Sequence, residues 1–302
     1  MASSLAKKRF LVTGAGGQLG AQLVQELAYR HGCPVIGWTS QNVSGEMRGN
    51  HAYRQVDITD RQAVEQAFHE WQPDCVIHCA AVTNVDLCER DREIAKQVNT
   101  TSSAWLAELA SRGGAKFAFL SSDYVFDGSD GPYDEDARVN PINYYGVTKA
   151  AAEQIICEHL PDALILRTTV LYSNGRHNNF LKWVVTQLQM GAEVRAFTDQ
   201  YGNPTWVDGL ARAILDLIAL DCQGIYHVAG PDWVNRYTFA LQIATAFGLP
   251  AARICPVTAE QLPQTAKRPV RGGFRVAKSL ALTEHLYSID ESLQWLRGGE
   301  RA

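Results

Sequence analysis

Tyr145 and Lys149 stand four residues apart in Tyr145-Gly146-Val147-Thr148-Lys149, a stretch whose pattern predicts a helix. Residues at that spacing share a helix face, so phenol and ammonium can converge on one point. An ammonium beside a phenol favours the phenolate, lowers the tyrosine pKa and suits it to acid–base work near neutral pH. Alone, the pair is equally compatible with a solvated helix face. A hydroxyl elsewhere gives it chemical company. The run 116–122 reads as a strand that ends in Ser121-Ser122-Asp123-Tyr124-Val125-Phe126-Asp127-Gly128. A serine at the carboxyl end of a central strand can bond a carbonyl oxygen and stabilise charge developing there. Ser122, Tyr145 and Lys149 together suit hydride transfer to a ketone: a nicotinamide supplies the hydride, Tyr145 the proton, and Ser122 orients the oxygen. Lys149 can also hold the cofactor ribose. A strand-end cap is the simpler role for Ser122.

A cofactor of that kind needs a cradle, and the N-terminus offers one. Arg9-Phe10-Leu11-Val12-Thr13 is apolar and strand-like, and Gly14-Ala15-Gly16-Gly17-Gln18-Leu19-Gly20 follows it. Leu23, Val24 and Leu27 then repeat at helical spacing. Strand, glycine turn and helix in this order form a dinucleotide fingerprint, here spaced G-x-x-G-x-x-G. Gly14 permits the tight turn, Gly17 lets the backbone approach a pyrophosphate, and Gly20 lets the helix pack closely. The helix N-terminus presents N–H groups to the phosphates. The second strand ends in Trp38-Thr39-Ser40-Gln41-Asn42, with no acid to repel a ribose 2′-phosphate, and Arg48 follows nearby. The expectation is NADP(H), with NAD(H) left open because no arginine sits at the strand end itself.

These residues must be positioned by a sheet. Strands are expected at 9–14, 34–39, 52–57, 75–80, 116–122 and 163–170, and helices at 18–30, 60–71, 93–112 and 144–159. That alternation predicts an α/β fold, a Rossmann-type doubly wound parallel sheet with the ligand outside the strand carboxyl ends. After residue 172 the composition shifts towards Asn, Gly and aromatics. Residues 1–172 are read as the dinucleotide-binding domain, with 207–230 returning to it. Residues 173–206 and 231–302 are read as a smaller C-terminal substrate-binding lobe, with helices at 179–190, 207–220 and 237–247 and a strand at 225–229.

With 302 residues, 46% apolar and 20% charged, the chain can bury an ample core. A net charge of −4 argues against nucleic acid or an anionic membrane as the main partner. No run is apolar and long enough to span a bilayer, and the first eight residues lack a signal core, so cytoplasm is the default expectation. The seven cysteines include no Cys-x-x-Cys and read as buried thiols. His78 and Cys79 are neighbours on one strand and face opposite sides, so no metal site is expected.

The chain resembles the extended short-chain dehydrogenase/reductases, and among them the dTDP-4-dehydrorhamnose reductases. The matching runs are Thr13 to Gly20, Ala80-Ala81-Val82-Thr83-Asn84-Val85-Asp86, Ser121 to Gly128, Tyr145 to Lys149, Arg167-Thr168-Thr169 and Asp199 to Thr205. Asn179-Phe180 and Arg268-Pro269 add weaker matches. The resemblance implies Ser122, Tyr145 and Lys149 as the catalytic set, with Asn99 supporting the lysine through a water. An ordinary helix-interior polar residue is the plainer reading of Asn99. It implies Gly14, Gly17, Gln18, Leu19, Gly20, Thr39, Ser40, Asp57, Ile58, Ala80 and Ala81, with Tyr145 and Lys149, as the cofactor site. Asp57 and Ile58 would meet the adenine, and Ala80 and Ala81 the nicotinamide half. Thr83, Asp123, Asn179, Arg268 and Arg271 would contact substrate.

Two departures fall on the substrate side. The family usually carries tryptophan in Arg-Thr-Ser-Trp-Val-Tyr, where this chain has Arg167-Thr168-Thr169-Val170-Leu171-Tyr172. The family's Arg-Pro-x-x-Ser is replaced by Arg268-Pro269-Val270-Arg271-Gly272. Lys267, Arg268, Arg271 and Arg275 nevertheless put four cations close together, either to neutralise a sugar-nucleotide diphosphate or as a solvated basic loop. The expected activity is reduction of the 4-keto group of a nucleotide-linked 6-deoxysugar. The alternatives are a reductase or epimerase of another nucleotide sugar or small ketone, and a non-catalytic NADP-binding regulator like the methionine adenosyltransferase β subunit. Helices 93–112 and 144–159 are the expected homodimer face, by the same resemblance.

Overall fold

The computed structural model describes residue 5 and residues 7–41 and 49–298. In chain order, β1 (Phe10–Thr13) leads through the glycine turn into α1 (Gln18–Gln25), which runs on as a π-helical turn, Glu26–Arg30. Then come β2 (Val35–Thr39), β3 (His51–Gln55), α2 (Arg61–Trp71), β4 (Cys75–His78) and α3 (Val85–Arg90). Next, α4 (Arg92–Lys96) passes through a π turn at Gln97–Thr101 into α5 (Ser102–Gly113). β5 (Lys116–Ser122), α6 (Tyr144–His159) and β6 (Leu164–Thr168) complete the expected elements of the first half. The strands lie where hydrophobic runs placed them, with ends one to three residues shorter. The third is displaced to His51–Gln55, leaving Val56 and Asp57 beyond its end.

The second half contributes β7 (Leu171–Tyr172), α7 (Phe180–Gln189), β8 (Val194–Phe197), β9 (Tyr201–Gly202), β10 (Thr205–Trp206), α8 (Val207–Ala219) and β11 (Gly224–His227). It ends with β12 (Val234–Asn235), α9 (Arg236–Phe247), β13 (Ile254–Val257), α10 (Ala277–Leu280) and α11 (Ile289–Gly298). A seven-stranded sheet runs β11-β6-β5-β4-β1-β2-β3, and every recorded pairing in it is parallel. The order reverses between β1 and β4, so a crevice opens at their carboxyl ends. Strand β11 therefore joins the main sheet beside β6, while β8 and β13 pair separately in the C-terminal part.

Alternation along the strands sorts the core. Phe10 and Val12 of β1 pack with Leu19, Leu23, Leu210 and Ile214 on one face. Leu11, between them, packs with Val64, Phe68, Leu106 and Ile156 on the other. Tyr172, Leu181, Val184, Phe239 and Ile243 build a third cluster in the C-terminal part. The two helices divide between these layers: α8 packs on the main sheet through Leu210, Ile214 and Leu217, while α9 buries Phe239, Ala240 and Ile243 in the C-terminal cluster.

Glu153 of α6 and Arg167 of β6 form a buried ion pair at 2.7 Å, their side chains 8% and 3% exposed. Two guanidinium nitrogens engage the carboxylate, and the group also lies 5.1 Å from the Phe126 ring centroid. The pair pins the helix carrying Tyr145 to the strand beside β5. Removing one partner leaves a charge buried alone. Glu153→Ala is expected to cost about 3–5 kcal/mol in urea unfolding, and a Glu153→Leu/Arg167→Met double variant to recover most of that loss.

Candidate active site

The crevice at the strand carboxyl ends is a cleft of about 680 Å³. Gly14, Gly17, Gln18, Leu19 and Gly20 form one wall, and Thr39, Ser40, Asp57 and Ile58 another. Ala80, Ala81, Thr83, Tyr145 and Lys149 line the rest, so every expected cofactor residue and Thr83 meet in one cavity. Arg48 and Asn42 lie outside the described residues. A second cavity, about 280 Å³, opens at the amino ends of β4, β5 and β6 near Lys116 and Asp221, away from these groups.

The cleft fits a dinucleotide on physical grounds. Gly14 turns with φ +65°, and a Cβ at Gly20 would lie 2.3 Å from the Gly14 carbonyl oxygen. Gly17 caps α1 without a side-chain hydrogen bond, and no acidic residue sits in the first turn. The N–H groups there are thus offered to an anion. At the end of β2, Thr39 Oγ1 accepts from the Gln41 N–H at 3.1 Å, and no carboxylate stands among Thr39, Ser40 and Gln41. Asp57 Oδ1 is held by the Thr59 N–H and hydroxyl at 2.9 and 2.7 Å. Gln18 ties this wall to the C-terminal part: its Oε1 accepts from Ser173 Oγ at 3.3 Å and from Asn179 Nδ2 at 3.5 Å. Asn179 also caps α7 by accepting from the Lys182 N–H.

Tyr145 and Ser122 meet at the inner end. The Ser122 hydroxyl acts on the phenol, favouring its ionised form against burial, and both residues are buried, Tyr145 at 9% and Ser122 at 7% exposure. Ser122 Oγ also accepts from the Tyr124 N–H at 3.2 Å and donates to Asp123 Oδ1 at 3.1 Å. Ser122 is therefore a turn cap as well as Tyr145's partner. Ser121 faces the cleft itself, its hydroxyl buried without a protein partner.

The contact depends on Gly146. A Cβ there would sit 2.0 Å from the Tyr124 carbonyl oxygen, so α6 can lie against the Ser122–Tyr124 turn only with glycine at this position.

Electrostatics corrects one expectation. Burial raises the Tyr145 pKa above its ordinary value, and the opposing pull of Ser122 is smaller. The Lys149 ammonium instead stands 3.9 Å over the Phe119 ring. Burial brings Lys149 down to about 7, against the opposing pull of Glu153 and Cys79. The desolvation of both groups outweighs the through-space help that their four-residue spacing suggested.

Asn99 also differs from expectation. Its Oδ1 accepts from the Val82 N–H at 2.8 Å, and its Nδ2 donates to the Val82 carbonyl at 3.1 Å and to Thr148 Oγ1 at 3.0 Å. Thr148 Oγ1 donates to the Tyr145 carbonyl at 2.7 Å. The side chain that was expected to serve the lysine is spent on the loop after β4 and on the helix of Tyr145. The π turn Gln97–Thr101 widens the helix where Asn99 leaves it, a common device at functional positions.

Sequence reasoning missed the support behind Asn99. Ser103 Oγ donates to the Asn99 carbonyl at 2.8 Å, so it accepts from His78 Nε2 at 2.9 Å. His78 Nδ1 then accepts from Thr13 Oγ1 at 2.6 Å, and Thr13 accepts from the Ala80 N–H at 3.2 Å. One neutral imidazole thus links Thr13 at the end of β1 to Asn99. Only the apolar strand around His78 hinted at its burial.

The basic cluster of the tail does not converge. Arg268 pairs with Asp86 at 3.0 Å and is 11% exposed, while Arg275 pairs with Asp134 at the surface. Arg271 lies 5.2 Å from the Trp233 ring and donates to the Gly131 carbonyl, and Lys267 is exposed. The cation beside Asp123 and Tyr124 is Arg236, whose guanidinium lies 5.4 Å over Phe180. Nothing in its spacing marked it.

The RmlD substrate binding domain model matches residues 8–293. The chain belongs to that family. An RmlD relative, dTDP-4-dehydrorhamnose reductase of Mycobacterium tuberculosis, is 35% identical over 268 residues, covering 86% of this chain and 83% of the relative. The methionine adenosyltransferase 2 subunit beta of Danio rerio is 32% identical over 270 residues, covering 87% and 81%. The solved dTDP-4-dehydrorhamnose reductase of Bacillus anthracis, in complex with NADP, superposes with a TM-score of 0.86 at 31% identity, over 97% of this chain and 100% of that one. The RmlD family thus includes both nucleotide-sugar reductases and a subunit of another enzyme, so function turns on the site.

Two tests probe this geometry. Gly146→Ala should push α6 off the Ser122–Tyr124 turn, costing about 1–3 kcal/mol in urea unfolding and lowering any turnover by about 10-fold or more. His78 is held neutral by burial, its pKa down at about 3. Its contribution to stability is complete above about 6.5 and is lost as pH falls towards about 3, because the unfolded imidazole takes up the proton first. The stability advantage of wild type over His78→Gln should therefore shrink across that window in urea titrations at successive pH values.

Proposed function

We propose that the chain is an NADPH-dependent reductase of the 4-keto group of a nucleotide-linked 6-deoxysugar. The observation that carries the reading is the buried Tyr145–Ser122 contact at the inner end of a dinucleotide-shaped cleft, with Lys149 one helical turn on. A bound nicotinamide supplies the hydride. The chain's residues do the rest. Tyr145 keeps its proton until it is needed, since burial holds the phenol protonated at neutral pH. As negative charge develops on the ketone oxygen, that proton moves from the phenol to it. The Ser122 hydroxyl sits beside the same oxygen and orients it. Lys149, at about 7, is poised to gain charge as a phenolate forms.

Thr39 and Ser40, with no carboxylate between them and Gln41, favour the 2′-phosphate of NADP(H) over the bare ribose of NAD(H). The substrate class rests on relatives: reductases of dTDP-linked sugars share the fold and over a third of the residues in the matched region. The missing aromatic at Val170 leaves the nucleotide base and the sugar open to a different choice within that class. The subunit-like reading draws on the methionine adenosyltransferase relatives; it predicts cofactor binding without turnover. An epimerase reading has no residue of its own in the cleft. Residues 173–206 and 231–302 serve as the substrate-side lobe in this reading.

NADPH oxidation is to be followed with dTDP-linked 4-keto-6-deoxysugars, and NADH run in parallel. The expected outcome is faster turnover with NADPH and a loss of about 10²–10⁴-fold in Tyr145→Phe. Binding of NADPH with no oxidation across several nucleotide bases sinks the reductase reading.

A further inference from the structure

Arg268 and Arg275 of the tail are ion-paired within the protein, so the negative charge of a nucleotide-linked substrate falls to another cation. Arg236 is placed to meet it. Its backbone N–H donates to the Gln200 carbonyl at 3.1 Å, and Asn235 beside it pairs with Tyr201 across β12 and β9. The Tyr201 carbonyl borders the Asp123 carboxyl: a Cβ on Gly272 would lie 3.3 Å from the first and 3.1 Å from the second. Asp123 follows Ser122 directly and accepts its hydroxyl at 3.1 Å. Arg236 is thereby anchored to the strand that flanks the Ser122 turn.

The direction of the side chain is fixed as well. Its guanidinium lies 5.4 Å from the centroid of the Phe180 ring, which is stacked on Phe239 at 5.5 Å. Phe180 follows Asn179, whose amide reaches Gln18 Oε1 in the cofactor wall at 3.5 Å. The cation is held where the C-terminal part meets the cleft. Arg236 is half-buried, yet among the described residues no hydrogen bond or ion pair engages its guanidinium. Arg167 and Arg268, by contrast, are paired with Glu153 and Asp86. A guanidinium carries five N–H donors, and one that is partly desolvated with none of them bonded lacks an acceptor. Asp123 acts on it through space alone.

We propose that Arg236 anchors the diphosphate of the substrate, its guanidinium fork taking the phosphate oxygens of a nucleoside diphosphate. The inference rests on the nucleotide-sugar reading and deepens it, because it names the cation that the tail cluster does not supply. Phosphate oxygens match the two parallel N–H donors of the fork. The placement agrees with the chemistry. The keto carbon must lie at Tyr145 and Ser122, so a diphosphate linked across the sugar ring leaves towards the C-terminal part. With Phe180 against its face, the guanidinium offers its edge, where the N–H groups point, to the ligand.

The test is calorimetric titration of the full-length protein, saturated with NADP⁺, using dTDP, UDP and GDP as probes and the matching nucleosides as controls. At least one diphosphate should bind, about 10-fold or more tighter than its nucleoside. Arg236→Gln should weaken that diphosphate by about 10- to 100-fold, with nucleoside and NADP⁺ binding unchanged. Arg236→Lys keeps the charge and loses the fork, so its affinity should fall between the two. It decides the question if the glutamine variant does not fold. Added salt should weaken diphosphate binding more in wild type than in Arg236→Gln. Equal diphosphate affinity in wild type and the folded variants overturns the proposal and leaves Arg236 as a counter-ion of Asp123. Loss of nucleoside and diphosphate binding by one common factor overturns it too, since that marks a structural role. So does a wild type that binds none of the three diphosphates. The reductase reading fails on a different result, NADPH left unoxidised with every 4-keto sugar, and an Arg236-dependent diphosphate site would survive that failure.

Discussion

The approach of α6 to the end of β5 is the constraint on which the site depends. Tyr145 can touch Ser122 only if the helix backbone lies against the Tyr124 carbonyl, and position 146 has no room for even one methyl group. Everything that fixes α6 serves that contact. Glu153 clamps it to Arg167 from the side, Asn143 caps its first turn by accepting from the Gly146 N–H, and Thr100 bonds the Thr148 carbonyl at 2.9 Å. A helix held by three polar anchors from different elements has little freedom to slide, which is what a proton transfer over hydrogen-bond distance requires.

Most of the anchoring groups are neutral, and their donors and acceptors run in one direction. The chain from the Ala80 N–H through Thr13, His78 and Ser103 to the Asn99 carbonyl leaves each group paired. In a low-dielectric interior such a network holds its geometry because any reversal leaves a donor facing a donor. It joins the end of β1, the loop after β4 and the helix of Tyr145 into one unit. The titratable groups, by contrast, feel their burial: Lys149 is drawn down to about 7, and Tyr145 and Asp123 are both pushed up.

Membership of the RmlD family leaves open whether a given chain turns over substrate, since its members include a subunit of methionine adenosyltransferase as well as reductases. The distinguishing features are local. The tail that carries Arg268 and Arg271 is tied down by Asp86, Trp233 and Gly131, so its charges are committed to the protein's own groups. Arg236, from the C-terminal part, is the cation that acts on Asp123.

The sequence by itself determined the sheet, the cleft and the membership of its walls. Strand periodicity and the glycine turn are local properties: alternation sorts Phe10 and Val12 from Leu11, and a glycine turn between a strand and a helix has few other uses. Tyr145 and Lys149 were legible for the same reason, since four residues on a helix fix their relative direction. Only the tertiary structure decided what those groups experience. Whether an ammonium lowers a phenol's pKa depends on solvent exclusion and on where Phe119 stands, and neither is encoded in spacing. Asn99 was visible as a polar residue in a helix, but its partners Val82 and Thr148 come from elements far apart in the chain. Arg236 carried no signal, and His78 only the apolar strand around it, because a buried charge and a buried imidazole are defined by what folds around them. Pair geometry within one element is a sequence property; desolvation and partner choice between elements belong to the fold.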